Sequence, residues 1–375
     1  MKILAVAALL LPVVALADAP PVPAPPSIAA RSWILVDQAS GSAIAGHATD
    51  LPVEPASLTK LMTAYAVFHA LQDGKLKLET QIPVSEHAWR AEGSRSFVDV
   101  GSRVPVEVLL QGMIVQSGND ASIALAEAVG GDEATFAALM NQYAERLGMK
   151  GSHFENATGL PGQRHLVTVA DMARLARAII REFPGYYHWY SQREFTWNGI
   201  TQGNRNGLLD RDPSVDGMKT GMTDTAGYCL VASARRDGMR LISVVVGTEG
   251  MKAREDASLA LLNYGFSFYE SRRLQAAGAA MATQRIFKAR GGSAAVGLAE
   301  DLVVTLPRGR ADRIELKVEL APRVFAPLSR SDRVGVVRAV LDGKVIAEAA
   351  LQPLADVPLG GFFRRIWDTI LSWFA

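Results

Sequence analysis

From Leu58 to Leu71 the chain is apolar on nearly every side of a helix, through Leu58, Leu61, Met62, Tyr65, Ala66, Val67, Phe68 and Leu71. A helix without a polar face belongs at the centre of a domain, wrapped by other elements. Pro55 suits a first helical position and Gly74, after Asp73, a C-terminal stop, so the spacing predicts one helix over 55–72. Any fold must be built around it. A chain of 375 residues, 49% hydrophobic, has the material for that core and for two or three domains.

Strand patterns stand on both sides of a helical middle. Ser32–Asp37 reads as a strand, Ser40-Gly41-Ser42 as a turn and Ala43–Gly46 as the return. Helical patterns follow at 106–115, 121–129 and 133–147, the last closed by Gly148. Thr168 reads as the N-cap of a helix reaching Arg181. Two β-rich runs, 227–234 and 239–246, flank the hairpin signal Asp237-Gly238, and a helix is expected over 251–264. Strands at both ends can join one antiparallel sheet with the helical block packed against it, an α+β layout.

Past about residue 274 the pattern becomes all-β. Runs at 302–306 and 314–320 and a hairpin of 334–341 with 344–351 around Asp342-Gly343 make a small domain without a catalytic cluster, read as a spacer or interaction module. The tail from Gly361 places Phe363, Ile366, Trp367, Ile370, Leu371 and Phe374 on one helical face and Arg364, Arg365, Asp368 and Ser372 on the other. It is too short and too charged to span a bilayer and fits a helix lying in a membrane surface, against the plainer reading of a helix packed on the protein. At the other end, Lys2, the apolar run Ile3–Leu16 and Ala15-Leu16-Ala17 read as a cleaved export signal, and Pro20–Pro26 as an extended, solvated leader. The expected division is a signal peptide at 1–17, a main domain at 27–273, a β domain at 274–355, and a linker with amphipathic helix at 356–375. A net charge of +1 argues against a nucleic-acid surface. One cysteine, Cys229, excludes an internal disulfide, and no histidine spacing suggests a metal; no cofactor is expected.

Three strings carry chemistry: Ser57-Leu58-Thr59-Lys60, Ser117-Gly118-Asn119 and Lys219-Thr220-Gly221. Each alone is weak, but their order and contexts fit together. Ser57 falls in the first turn of the buried helix, its N–H near the positive helix end, with Lys60 on the same face. A serine hydroxyl needs a base, and a lysine serves once burial or a neighbouring cation makes it neutral. Ser117 and Asn119 sit in a turn between helices. Ser117 is placed to relay a proton between Lys60 or Lys219 and a leaving amine, and Asn119 to bind Lys60 or a substrate carbonyl. On a strand, Lys219 brings positive charge, Thr220 a hydroxyl for a carboxylate and Gly221 close backbone approach. An exposed edge there would pair with an extended peptide.

This ordered set is that of penicillin-binding proteins and class A β-lactamases. The chain resembles the serine-type D-alanyl-D-alanine carboxypeptidases, the low-molecular-mass penicillin-binding proteins. The likeness extends through Glu54–Lys60, Gln116–Ala121, Asn198–Ile200, Asn204–Leu209, Val215–Gly221 and Ala226–Tyr228, and covers about 33–268. The β domain and tail match the longer members in layout. The resemblance implies a β-lactamase/transpeptidase-like domain, and removal of the terminal D-alanine from peptidoglycan stem peptides through a Ser57 acyl-enzyme with Lys60 as base. It implies an oxyanion hole from the backbone N–H groups of Ser57 and Met222, a terminal carboxylate held by Thr220 and Arg205, field from Lys219, and acylation by penicillins. With the signal and tail it implies an exported protein, peripheral on the periplasmic face of the inner membrane. Met222 stands where histidine is familiar, and Glu155–Leu160 departs from the usual wording. A β-lactamase, a D,D-endopeptidase and a non-catalytic binder of cell-wall peptides are the alternatives.

Overall fold

The computed structural model describes residues 22–373, so the expected signal over 1–17 and Phe374 of the tail lie outside the described residues. The main sheet is antiparallel and five-stranded. Its order is Ala43–His47, Ser32–Asp37, Met239–Thr248, Gly227–Arg236 and Val215–Thr223. Strands from both ends of the segment thus meet in one sheet, as the pattern requires. Asp237 and Gly238 both have positive φ, the geometry a two-residue hairpin needs. Alternate residues face opposite sides. Val231, Ile242, Val244 and Val246 pack toward the helical block, while Leu230, Ala232, Leu241 and Val245 pack toward the helix Met251–Phe268.

The central helix runs from Lys60 to Gln72, with every residue from Lys60 to Ala70 buried. The expected helix over 55–72 is corrected at its start: Ala56–Thr59 is a 3₁₀ turn, and the α-helix begins at Lys60. The helix expected at 106–115 is Val106–Gln111 followed by a π-helical turn, Gly112–Gln116. Asn119–Gly130 and Glu133–Arg146 follow, and Thr168 Oγ1 caps Val169–Glu182 by accepting from the Asp171 N–H. The strand of the third string runs from Val215 to Thr223, so Lys219 lies mid-strand; that strand is a sheet edge. The segment after Val22 is not solvated throughout. Val22 and Ile28 pack on the sheet, and Tyr264 Oη donates to the Pro23 carbonyl at 2.9 Å. Cys229 is a packed thiol on the strand beside the edge, its pKa pushed up to about 11 by burial.

The second unit is an antiparallel sheet in the order Ala280–Arg285, Ser293–Gly297, Lys344–Pro353, Gly335–Leu341 and Ile314–Leu320. Tyr269–Gln275 pairs with Leu302–Pro307 beside it and crosses the expected boundary at 274. The two units touch where Ser40 Oγ meets Thr305 Oγ1 at 2.6 Å and Ser271 Oγ donates to buried Asp37. The tail forms a helix, Phe362–Leu371, whose packing is the reverse of a globular helix. Its polar residues Asp368 and Ser372 are buried against the β unit, and Phe362, Phe363, Ile366, Trp367 and Ile370 face outward.

Candidate active site

Pro55 and Ala56 turn the chain sharply into the 3₁₀ turn, Ala56 at a φ of 46°, a left-handed value uncommon for a residue with a side chain. In 3₁₀ geometry residues i and i+3 eclipse. Ser57 and Lys60 therefore lie one above the other, with Lys60 Nζ 2.9 Å from Ser57 Oγ. Lys60 Nζ also reaches Asn119 Oδ1 at 2.6 Å and the Thr158 carbonyl at 2.7 Å. Both carbonyl oxygens are acceptors only. A neutral Lys60 gives its two hydrogens to them and turns its lone pair to the Ser57 hydroxyl. Burial pulls its pKa down to about 7, with Asp120 opposing and Arg205 adding to the depression. A neutral amine is thus populated near neutrality, as a general base requires.

The Ser117 turn is set by the π-helical turn before it, a local widening that recurs at functional sites. Ser117 has a φ of 68° and points Oγ at Lys219 Nζ, 2.9 Å away. Of the two lysines, Lys219 is the one bonded to Ser117. Gly118 is required by close approach: a Cβ there would lie 1.9 Å from Ser96 Oγ. The loop that comes so near is held by Asp120, fully buried, which accepts from the N–H groups of Ser96 and Val98. Asn119 adds to that latch, its Nδ2 donating to the Glu92 carbonyl and its N–H to the Ser94 carbonyl.

The edge strand closes the third side. A Cβ on Gly221 would meet Ser57 N, Ala56 Cβ and the Pro55 carbonyl, each at 3.2 Å, so glycine lets the strand lie against the nucleophile turn. Lys219 is buried, and its pKa is driven well down by desolvation first and then by Lys60, Arg205 and Arg254. A cleft of about 410 Å³ opens over these groups, lined by Ser57, Ser94, Ser117, Arg205, Thr220, Gly221, Met222, Tyr228 and Arg254. Arg205 is anchored by Nε donating to the Gln116 carbonyl at 3.0 Å. The Met222 side chain is 51% exposed at the mouth. Two lysines and two arginines outnumber the carboxylates of Asp120 and Glu255 around the cleft, a positive excess suited to a carboxylate ligand.

All the site residues expected from the sequence meet at this cleft: Ser57, Lys60, Ser117, Asn119, Arg205, Lys219, Thr220, Gly221 and Met222. Four others escaped sequence reasoning. Arg254 is buried beneath the cleft, donating to the Gly221 and Arg205 carbonyls at 3.3 Å each, its Nε without a partner among the described residues. On sequence it is one charge on a helical pattern. Thr158 acts through its backbone, which no side-chain motif reports. Ser94 and Asp120 lie in polar stretches of ordinary turn composition; the Asp120 signal was its place directly after Ser-Gly-Asn. Among the described residues no group of three His, Cys, Asp or Glu is disposed to hold a metal.

Two family models match the chain: D-alanyl-D-alanine carboxypeptidase over residues 19–250 and the C-terminal domain of penicillin-binding protein 5 over residues 269–359. D-alanyl-D-alanine carboxypeptidase DacA of Escherichia coli K12 is 40% identical over 357 residues, covering 93% of this chain and 89% of that protein. The structure of penicillin-binding protein 5 from Haemophilus influenzae superposes with a TM-score of 0.84 at 40% identity, covering 89% of this chain and 99% of that one. Penicillin-binding protein D2 from Listeria monocytogenes in its ampicillin-bound form superposes at 0.59 with 29% identity, over 64% of this chain and 98% of that one.

Proposed function

The chain belongs to the D-alanyl-D-alanine carboxypeptidase family, and from that membership we propose how its residues divide the reaction. The enzyme is a serine-type D-alanyl-D-alanine carboxypeptidase acting on peptidoglycan peptides. Neutral Lys60 takes the Ser57 proton as Oγ attacks the carbonyl carbon of the penultimate D-alanine. The N–H groups of Ser57 and Met222 receive the developing oxyanion, each such donor typically worth about 3 kcal/mol of barrier lowering. Thr220 and Arg205 hold the terminal carboxylate in the field of Lys219. As the C–N bond breaks, Ser117 Oγ passes a proton from Lys219 to the leaving amine, and D-alanine departs. The two lysines re-equilibrate. Lys60 then takes a proton from water as that water attacks the Ser57 ester and returns it to Ser57 Oγ as the ester C–O bond breaks, and the shortened peptide leaves.

The observation that carries this reading is the setting of Lys60 Nζ, where two acceptor-only carbonyl oxygens take its hydrogens and leave its lone pair for the Ser57 hydroxyl. β-Lactams, with a strained amide and a carboxylate, fit the same groups, and the ampicillin-bound relative supports their acylating Ser57. Ser57→Ala is expected to abolish covalent labelling by a fluorescent penicillin and release of D-alanine from a D-Ala-D-Ala peptide. Labelling that persists removes Ser57 as nucleophile. Rapid penicillin turnover without a long-lived adduct would favour the β-lactamase reading instead.

For the rest of the chain we propose export directed by residues 1–17, a catalytic domain over 27–273, a β domain over 274–355 and peripheral attachment to the periplasmic face of the inner membrane by 356–375. The outward apolar face of the terminal helix supports the last point. Among the described residues no helix is long and apolar enough to cross a membrane.

A further inference from the structure

The terminal helix is fastened to the β unit through its polar side. Asp368, 3% exposed, accepts from the Lys288 backbone N–H at 2.6 Å and from Arg364 Nε at 3.2 Å. At about 3.6 residues per turn, Asp368 and Ser372 lie opposite Phe363 and Ile370, so docking the polar side forces the apolar side outward. Phe363 is 85% and Trp373 72% exposed. Asp368 is the sole carboxylate between Phe362 and Trp373, and it is turned inward, so the outer surface carries arginine and no acid.

That surface does not stop at the helix. Lys288 shares a shallow groove with Leu359, Phe362, Arg365 and Ile366. Its Nζ lies 5.5 Å from the ring centre of Phe325, which is exposed on the loop after Ile314–Leu320. Phe287, next to Lys288, bridges to Phe325 through the backbone, so this shoulder is pinned by a backbone bridge rather than hanging as a free loop. Exposed aromatic and aliphatic side chains interleaved with cations match the interfacial zone of a bilayer with anionic headgroups.

We propose that Lys288 and Phe325 of the β unit form, with the terminal helix, one continuous surface that seats on an anionic lipid bilayer. The inference rests on reading the helix as a membrane-surface element. It adds a second, non-helical contact that fixes how the β unit stands on the lipid. The test is flotation of the full chain with phosphatidylcholine vesicles, with and without phosphatidylglycerol. Lys288→Ala is expected to weaken binding to the anionic vesicles about fivefold, and Phe325→Ser by roughly three- to tenfold. Lys288 holds Asp368 through its backbone, so its side-chain substitution leaves the latch in place. D-alanine release from a soluble peptide stays at the wild-type rate in both variants, showing an intact fold. Unchanged binding by both, alongside loss in Trp367→Glu, overturns the inference and leaves the helix as the sole contact. A wild-type chain that stays unbound with either vesicle overturns the helix reading itself.

Discussion

Lys60 is the residue whose chemistry is most tightly set by its surroundings. Burial draws its pKa to about 7, so the neutral base is scarce in acid and abundant above neutrality. The rate of Ser57 acylation is therefore expected to rise through about pH 7 and level off above it. At pH 5 it should be about a hundredfold below the plateau, as a stopped-flow penicillin reaction would show. Asp120 opposes the depression. Asp120→Asn keeps an acceptor for the Ser96 N–H but removes the charge, so the acid limb should move to lower pH. A limb that stays in place excludes Asp120 as the counter-charge. The nucleophile and base were legible in the sequence because both occupy fixed positions of a string. Arg254 and the Thr158 carbonyl were not, since one is a single charge on a helix and the other a backbone atom.

At the scale of elements, the segment Glu155–His165 matters as much as the helix it covers. Thr63 Oγ1 donates to the Ala157 carbonyl at 2.7 Å, and buried His165 places Nε2 2.9 Å from Thr59 Oγ1. Burial pulls the His165 pKa down to about 4, so the ring is neutral at working pH. With Nδ1 facing the Glu155 N–H, Nε2 carries the proton and donates to Thr59. These bonds hold the Thr158 carbonyl on Lys60. Gly159 is the tightest point of the segment: at a φ of 89°, a Cβ would lie 1.8 Å from the Ala56 carbonyl oxygen. Gly159→Ala is expected to destabilise the fold by about 1–3 kcal/mol and to slow acylation at least tenfold. Thermal melting and penicillin labelling check the two effects separately. Element boundaries were readable where caps or short apolar runs between polar turns mark them, as at Thr168 and Ser32–Asp37. They failed where the signal is tertiary. The 3₁₀ turn has the same side-chain register as the expected helix start. The strands Tyr269–Gln275, Ala280–Arg285 and Ser293–Gly297 are rich in charge, alanine or glycine and lack the β-branched alternation that announces a strand.

At the scale of the whole molecule, the catalytic cleft and the outward helix belong to separate units joined by few side-chain bonds. A chain ending at Leu359 should keep its activity on short peptides within about twofold, since no cleft residue lies beyond Glu255. It should also no longer sediment with membranes. Persistent sedimentation would move the attachment elsewhere in the chain. The overall plan followed from the apolar helix and the strand patterns flanking it. The manner of docking of the tail did not, because periodicity identifies an apolar face without saying which side the protein takes.

The lone thiol has a practical consequence. Cys229 is fully buried and its pKa is pushed to about 11, so thiol-directed reagents have nothing to attack on the folded chain. Met222→Cys would place a single reactive sulfur at the mouth of the cleft without removing any native cysteine. A fluorophore attached there would report the arrival and departure of peptide or antibiotic on an otherwise silent protein.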